Sequence, residues 1–214
     1  MKELAAIYGP PFFEEWGPAN RAYTASAEIV TDAVFSQFRP ARVADLGCGC
    51  GVYGHFFSAR GAEVLSLDGV KPPAEHSFPV QVQVRDLTEP FENVWGKFDL
   101  ALCLEVAEHI PEELLPQFLK NITSFSDRLL LSAAPPNQGG HHHVNERPRR
   151  YWVAKLRGAG FAYDRPATGV LCERLKSRGM PHMWMGVHIS VYRRAKNSRE
   201  LDHGLPFDAS LAQP

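Results

Sequence analysis

The sequence has no uninterrupted apolar run approaching the roughly 20 residues that a membrane-spanning helix requires. Its first residues, MKELAAIYGPPFFEEWG, lack the basic and apolar regions of a secretory signal peptide. The chain also contains neither an internal repeat nor a low-complexity tract. These absences argue against a membrane or secreted protein, so the sequence predicts a cytoplasmic globular protein without a membrane partner.

Cysteine is scarce, and its spacing carries no signature of a disulfide or zinc framework. The chain has four cysteines, Cys48, Cys50, Cys103 and Cys172, and no C-x-x-C pair. We therefore expect free thiols, as is usual in the cytoplasm. Cys48 and Cys50 stand among glycines, where small side chains are wanted, so we interpret them as packing residues and not as nucleophiles.

Charge is nearly balanced overall but unevenly distributed along the chain. The net charge is −1, whereas residues 1–144 carry −8 and residues 145–200 carry +9. The basic region could attract an anionic ligand, although solvated helix faces explain the same charges equally well. The neutral total and the lack of an added recognition domain argue against a nucleic-acid partner.

Short apolar segments alternate with amphipathic ones after residue 40, which is typical of strands alternating with helices. Strands are predicted at 42–45, 63–67, 80–84, 98–102, 128–132, 161–163 and 184–192. Helices are predicted at 22–38, 54–60, 111–123 and 147–156, the last of them capped by Asn145. The alternation predicts an α/β fold with a mostly parallel sheet and helices on both faces. The proline-rich connection 69–79 leaves little room for a helix.

Three regions follow from this pattern. Residues 1–40 comprise an aromatic arm, expected to be irregular up to residue 20, and the first helix. The arm could close over a site as a lid, or it could simply brace the core. Residues 41–194 form the α/β domain, and the polar residues 195–214 are predicted to be a disordered tail.

A glycine-rich turn, D-L-G-C-G-C-G at 45–51, follows the first predicted strand. Glycines here let a ligand approach the backbone, at the sheet edge where α/β proteins bind ligands. Residues 49–54 also satisfy the dinucleotide pattern GxGxxG, which is weak evidence by itself. Asp45 argues against a dinucleotide, because a carboxylate before the glycines would repel a pyrophosphate and suits an ammonium group.

Acidic residues also end the second and third predicted strands, at Asp68 and Asp86. Each alone could be a turn former, as aspartate often is. Their order and spacing, together with D-x-G-x-G-x-G at 45–51 and FDLALCLEVAEHIP at 98–111, resemble the class I S-adenosylmethionine-dependent methyltransferases. The resemblance spans roughly residues 42–192.

This resemblance implies a Rossmann-like, seven-stranded, mostly parallel sheet with an antiparallel last strand, and S-adenosylmethionine as the cofactor. It implies that Asp68 accepts the ribose hydroxyls, that Asp86 and Leu87 contact adenine, and that Leu104 and Glu105 lie beneath the methionine moiety. The residues that it assigns to cofactor binding are Asp45, Gly47, Cys48, Gly49, Gly51, Asp68, Gly69, Asp86, Leu87, Leu104 and Glu105. The departure from the family is the short 69–79 connection, which puts the usual adenine-side contacts there in doubt.

Two histidines are candidates for catalysis. His109 follows the fourth strand, and His143 lies in the loop G-G-H-H-H-V-N after the fifth, so both belong at the ligand edge. The second loop, with Tyr151-Trp152 after it, resembles a bacterial branch of methyltransferases that act on small molecules or glycans. We prefer His143 as the general base and expect His109 either to act likewise or to shape the cofactor pocket. No carboxylate stands near the histidine loop at ligand spacing, so no metal site is predicted.

Three functions remain open at this point. The leading one is methyl transfer to an oxygen or nitrogen of a small acceptor, possibly an anionic one. The second is an RNA or protein methyltransferase that uses the basic 145–200 region. The third is a cofactor-binding module without catalysis, since a fold does not imply a function.

Overall fold

The computed structural model describes residues 2–182 and 184–203. A seven-stranded sheet runs through this part of the chain in the order β3-β2-β1-β4-β5-β7-β6. The strands are β1 (Arg42–Leu46), β2 (Glu63–Asp68), β3 (Val82–Val84), β4 (Leu100–Leu104), β5 (Arg128–Ser132), β6 (Phe161–Tyr163) and β7 (Ser190–Arg194). β1 to β5 pair in parallel, whereas β7 is antiparallel to both β5 and β6. The predicted α/β, mostly parallel sheet is therefore confirmed.

Helices cover both faces of the sheet. They are α1 (Lys2–Ile7), α2 (Pro10–Glu15), α3 (Arg21–Phe38), α4 (Val52–Ala59), α5 (Leu115–Ile122), α6 (Arg149–Gly158), α7 (Arg165–Arg178), α8 (Trp184–Val187) and α9 (Ser198–His203). One apolar core lies between the sheet and α3, α4 and α7, and the other lies between the sheet, α5 and α6. None of the helices in the described residues is long and apolar enough to cross a membrane.

The long amphipathic segments gave the most accurate predictions. α3 begins one residue before the predicted helix and ends at Phe38, as predicted. Its 18 residues bury one face of the helix. Asn20 caps its first turn by accepting a hydrogen bond from the Tyr23 N–H at 3.0 Å. The connection between β2 and β3 contains a single 3₁₀ turn, Ala74–His76, as its prolines led us to expect.

The amino-terminal arm is helical, not irregular as the sequence predicted. Pro10 and Pro11 occupy the first turn of α2, where a missing N–H costs nothing because that position has no helical partner. The two prolines therefore begin a helix here and do not exclude one. Phe13 from α2 is buried in the core beneath α3.

The carboxyl-terminal third departs most from the prediction. α7 was missed because its apolar residues form no pronounced stripe, although Asp164 caps it through the Ala167 N–H at 3.0 Å. Residues 184–187, predicted as strand, form α8 instead, and the strand begins only at Ser190.

Two smaller predictions were also wrong, one about the cap of α6 and one about the tail. Asn145 does not cap α6, which begins after Pro148. Its buried amide instead donates to the Ile110 carbonyl at 3.0 Å and accepts from Arg147 at 2.9 Å. Part of the predicted disordered tail forms α9, where Glu200 pairs with Arg193 at 2.8 Å. Residues 204–214 lie outside the described residues.

The buried face of α5 provides a test of the core. Phe118 is fully buried between α5 and the sheet. We expect Phe118→Ala to lower the free energy of unfolding by about 3–5 kcal/mol, because it leaves a cavity in a packed core. Val94, which is 76% exposed, is the control, and Val94→Ala should change stability by less than about 0.5 kcal/mol. Equal denaturant midpoints for the two variants would contradict this packing.

Candidate functional site

The glycine turn after β1 is held against the end of β2. The N–H groups of Gly47 and Cys48 both donate to the carbonyl of Leu67, at 2.8 and 2.9 Å. Gly47, Gly49 and Gly51 all adopt positive φ angles, of 80°, 54° and 83°. Since non-glycine residues rarely take these values, the alternating glycines are required by the backbone itself.

The three glycines differ in what surrounds them. A Cβ atom at Gly47 would lie 2.4 Å from the Val106 side chain, and one at Gly51 would lie 2.2 Å from Val80. A Cβ atom at Gly49 would meet nothing within 4 Å. Gly47 and Gly51 are therefore needed for packing inside the protein, whereas Gly49 borders open space at the ligand edge.

Asp68 fastens this turn to the end of β2. One carboxylate oxygen accepts the Gly49 N–H at 2.8 Å, and the other accepts the Val70 N–H at 3.0 Å. Burial raises the pKa of this carboxyl, although its backbone hydrogen bonds oppose the rise. Neighbouring Gly69 lies under the arm, because a Cβ atom there would come within 2.8 Å of Leu4.

Asp45 lies beneath the turn and does not point out of it. Its side chain is 3% exposed, and it accepts a hydrogen bond from the Gly54 N–H, in the first turns of α4, at 3.2 Å. Burial raises the pKa of Asp45 to about 7. The carboxyl group thus joins β1 to α4 under the turn, without reaching the surface.

Asp86 and Leu87 follow β3 at the predicted place. The Asp86 carboxylate accepts hydrogen bonds from the N–H and the hydroxyl of Thr88, at 2.9 and 2.6 Å, and so forms a local turn. Leu87 is 6% exposed and packs in the core beside α5. The local turn accounts for Asp86 at least as well as a contact with adenine does.

Two carboxyl groups are buried where β4 ends. Leu104 is buried, and Glu105 after it adopts a φ of 56°, with its N–H bonded to Ser132. Glu108 is fully buried, and its carboxyl oxygens have no hydrogen-bond partner within the described residues. Burial raises the pKa of Glu105 and of Glu108, and repulsion from Glu105 raises that of Glu108 further.

The structure brings His109 and His143 together, as the topology predicts. Their ring centroids lie 4.9 Å apart. His109 Nδ1 donates to the His142 carbonyl at 3.2 Å, and His143 Nδ1 donates to the Glu146 carboxylate at 2.9 Å. Burial, and then proximity to His143, lower the pKa of His109 to about 4, so that this imidazole is neutral near pH 7. His143 Nε2 lies beside Gly140, where a Cβ atom would come within 2.3 Å of it.

These histidines also form a set that could hold a metal ion. Glu108, His109 and His143 each offer one ligand atom, and the three atoms lie within 4.8 Å of one another. Two imidazoles oriented through their other nitrogens, together with one carboxylate, are a usual environment for a divalent cation. The sequence did not predict this, because Glu108 reaches the histidine loop only through folding.

The amino-terminal arm closes the other side of the histidine cluster. The ring of Tyr8 lies 5.8 Å from that of His109 and 5.9 Å from that of His141, and Phe12 also contacts His141. His141 Nε2 donates to the Ile7 carbonyl at 2.9 Å. Burial, and then the nearby charge of Asp68, raise the pKa of Tyr8 to about 12. The arm therefore spans from the glycine turn to the histidine loop.

Sequence reasoning missed three participants in this region, Tyr8, Glu108 and Glu146. Glu108 stands directly before His109, so its position in the loop after β4 could have identified it as a residue of the site. Glu146 follows His143 by three residues, a spacing that allows a side-chain contact in a turn. Tyr8 gave no signal beyond the aromatic character of the arm.

The cysteines behave as the sequence predicted. Cys48, Cys50 and Cys103 are buried, Cys172 is partly buried, and all four are free thiols. Burial raises the pKa of Cys48 far above its ordinary range and that of Cys50 to about 12. Thiols held in this way are protonated and act as packing groups.

The sheet order, the antiparallel β7 and the glycine turn after β1 together define the Rossmann-like fold of the class I S-adenosylmethionine-dependent methyltransferases. No protein-family model matches the chain. Solved structures with this fold include a 1,6-didemethyltoxoflavin-N1-methyltransferase from Burkholderia thailandensis, crystallised with S-adenosylhomocysteine. It has a TM-score of 0.59 at 19% identity, over 91% of this chain and 90% of that one. Human N-acetylserotonin methyltransferase has a TM-score of 0.57 at 14% identity, over 90% and 59% of the two chains.

Similarity in sequence is confined to one segment. A ubiquinone biosynthesis O-methyltransferase of Xanthomonas campestris is 35% identical over 82 residues, which are 35% of this chain and 34% of that protein. Its counterpart in Proteus mirabilis is 33% identical over 79 residues, 33% and 32% of the two chains. The chain thus spans about a third of the length of the curated relatives it matches. The predicted resemblance to class I methyltransferases is confirmed in the fold and in this segment.

Gly49 and Gly51 offer a matched test of the turn. At either position alanine strains a left-handed backbone by about 1–2 kcal/mol. Gly51→Ala also forces a methyl group against Val80, which should cost about 1–3 kcal/mol more. We therefore expect Gly51→Ala to have the lower thermal midpoint of the two variants. The reverse order would mean that Gly49, and not Gly51, faces the packed interior.

Proposed function

We propose that this chain transfers a methyl group from S-adenosylmethionine to an oxygen or nitrogen of a small-molecule acceptor. The observation that carries the proposal is the glycine turn fastened to Asp68, with open space at Gly49, on the ligand edge of this fold. The named activities of the relatives and the S-adenosylhomocysteine in the Burkholderia enzyme support it. Displacement at a sulfonium needs mainly an aligned acceptor, which an enclosed site provides.

The cofactor would lie across the carboxyl ends of β1, β2 and β4. Its methionine moiety would lie over Gly49 and beside Leu104 and Glu105, and its ribose hydroxyls would bond to Asp68. Both Asp68 oxygens already accept a backbone N–H, yet each keeps a further lone pair for a ligand hydroxyl. The predicted adenine contacts of Asp86 and Leu87 belong to the same proposal.

The arm formed by α1 and α2 would act as a lid over this cofactor. Leu4 lies against Gly69, and Tyr8 lies between Asp68 and His109, so the arm occupies the face through which a ligand must enter. Opening requires the loss of two hydrogen bonds, from His141 to the Ile7 carbonyl and from the Cys50 thiol to the Phe13 carbonyl, and the exposure of Phe13, which is buried in the core. Such a cover would exclude water during methyl transfer.

The acceptor is proposed to be small and anionic. Of the basic side chains that could read a nucleic acid, Arg147, Lys176 and Arg178 form ion pairs with Glu112, Glu173 and Asp32, respectively. Pairing of this kind weakens the case for a nucleic-acid surface. A cytoplasmic location, supported by the four free thiols, belongs to the same proposal.

The cofactor assignment predicts a clear binding result. Calorimetry should detect S-adenosylhomocysteine and no comparable binding of NAD. Asp68→Ala should weaken binding by about 1–3 kcal/mol, because ligand hydroxyls lose their acceptor. Asp127→Ala is the control, since this exposed carboxylate pairs with Arg194 at the opposite edge of the sheet, before β5. Binding of NAD alone, or equal losses for both variants, would refute the assignment.

The acceptor proton would be removed by His143. A carboxylate that holds Nδ1 of an imidazole leaves Nε2 as the basic nitrogen, and Glu146 holds His143 in this way. His109 is the weaker candidate, because burial and proximity to His143 leave it with a pKa of about 4. It is better suited to shaping the pocket beneath the arm.

This division of roles predicts different variant kinetics. Using radiolabelled S-adenosylmethionine and a panel of phenols, amines and their carboxylated analogues, His143→Ala should reduce turnover by roughly 10²–10⁴-fold. Its affinity for S-adenosylhomocysteine should be unchanged, whereas His109→Ala should affect both quantities. His55→Ala, in α4, is the control.

Full turnover by His143→Ala at every pH would show that His143 is not the base. Loss of wild-type turnover in EDTA, restored by added divalent cation, would indicate instead that His143 serves as a metal ligand.

A further inference from the structure

A small cavity lies beside the ligand edge of the sheet, where β5 ends and β7 begins. Its volume is about 20 Å³, enough for one oxygen-sized group. The polar side chains that line it come from the residues before and within α6 and from the start of β7: Arg147, Arg149, Trp152, His188, Ser190 and Tyr192. The remaining lining is apolar, so these groups determine what the cavity can hold.

Four of these side chains carry a buried polar atom. Arg149 Nε and Trp152 Nε1 have no hydrogen-bond partner within the described residues, and the hydroxyls of Ser190 and Tyr192 have none apart from each other. Trp152, Ser190 and Tyr192 are each at most 2% exposed, so bulk water does not reach them. Buried polar groups are nearly always satisfied, so these unsatisfied donors around one cavity indicate a missing ligand atom.

The balance of donors and acceptors selects the chemistry of that ligand. Guanidinium and indole nitrogens can only donate, and the two hydroxyls can donate as well. No carboxylate is among the side chains that line the cavity in the described residues, whereas two arginines are. Burial and the charge of Arg149 lower the pKa of His188, consistent with positive potential at this place. Water and a carboxylate oxygen each offer two lone pairs to these donors, but only the anionic oxygen also balances the charge of Arg149 and accepts the stronger, charge-assisted hydrogen bond.

The cavity also lies where the loop that carries His143 begins and ends. Ser190 pairs with Leu131 across β5 and β7, and the chain continues from β5 into the loop that carries His143. The Arg147 N–H bonds back to the Ala134 carbonyl, so the two ends of that loop meet beside the cavity. A small molecule held here by one end could extend along the loop toward His143.

We propose that this cavity binds one oxygen of an anionic group, such as a carboxylate, carried by the methyl acceptor. Arg149 supplies the charge, and Trp152, Ser190 and Tyr192 supply the short-range donors. The assignment rests on the proposed function for the identity of the ligand, but the anion site itself can be tested without the cofactor.

The test uses the full chain labelled with 5-fluorotryptophan and ¹⁹F NMR. The chain has four tryptophans, and the Trp152 signal is identified by its loss in Trp152→Phe. Sodium formate, inorganic phosphate and neutral formamide are titrated separately at constant ionic strength. We expect formate to shift the Trp152 signal in a saturable manner, and formamide to leave it in place. Saturation by phosphate and not by formate would show that the cavity binds anions but that its ligand is a phosphoryl group.

Two matched arginines provide the control. Arg149→Gln should weaken formate binding at least tenfold, whereas Arg150→Gln, at the next and exposed position of α6, should not change it. Tyr192→Phe removes a single hydroxyl and should weaken binding less, which keeps the test valid if Arg149→Gln unfolds. A shift that fails to saturate, or that is equal for formamide or in Arg149→Gln, would show that the cavity holds only water.

The same samples separate this inference from the proposed function. Binding of S-adenosylhomocysteine, measured by calorimetry, should be equal in wild type, Arg149→Gln and Arg150→Gln. Wild-type protein that binds S-adenosylhomocysteine but not formate would overturn the anion site alone. Wild-type protein that binds formate but not S-adenosylhomocysteine would overturn the methyltransferase proposal and leave the anion site standing.

Discussion

The carboxylate of Asp68 fixes the glycine turn after β1 to the end of β2, through one hydrogen bond to Gly49 and another to Val70. Three residues with positive φ make this turn costly to order. The hydrogen bond to Asp68 and the two that the Leu67 carbonyl accepts hold it in one conformation. The surroundings of the site depend on that conformation, because α4 begins immediately after the turn and Val80 packs against Gly51. A preformed turn also means that a ligand need not order the backbone when it binds.

Much of the sheet and of its ligand edge could be predicted, because both arise from local patterns. Strands such as β5 are short apolar runs, and α3 has a continuous apolar stripe. α7 lacks such a stripe, so its position depends on a cap at Asp164 and on packing against α3 that no local pattern shows. The same reasoning applies to Glu108, which is brought near His143 only by the folded chain.

The electrostatics of the site could be predicted only in part. An acid at position 45 was expected to face a ligand, yet the folded chain buries it under the turn with the Gly54 N–H. Burial depends on which elements cover a residue, and α4 and the arm come from different parts of the chain. The outcome is a ligand edge with several carboxyl groups of raised pKa, at Asp45, Asp68, Glu105 and Glu108. A raised pKa disfavours the negative form of these groups, and a ligand that brings positive charge, as a sulfonium does, would favour that form.

The short connection between β2 and β3 leaves space that another part of the chain fills. The space beside its 3₁₀ turn is filled by the arm, since Gly17 packs against the His76 backbone and the Cys50 thiol donates to the Phe13 carbonyl. The space on this side of the glycine turn is therefore filled by α1 and α2 and not by a segment between two strands. Both helices precede β1, so changes in their length or sequence leave the strand register unaltered. Under the proposed function, acceptor preference can therefore change through substitutions in α1 and α2 while the sheet stays unchanged.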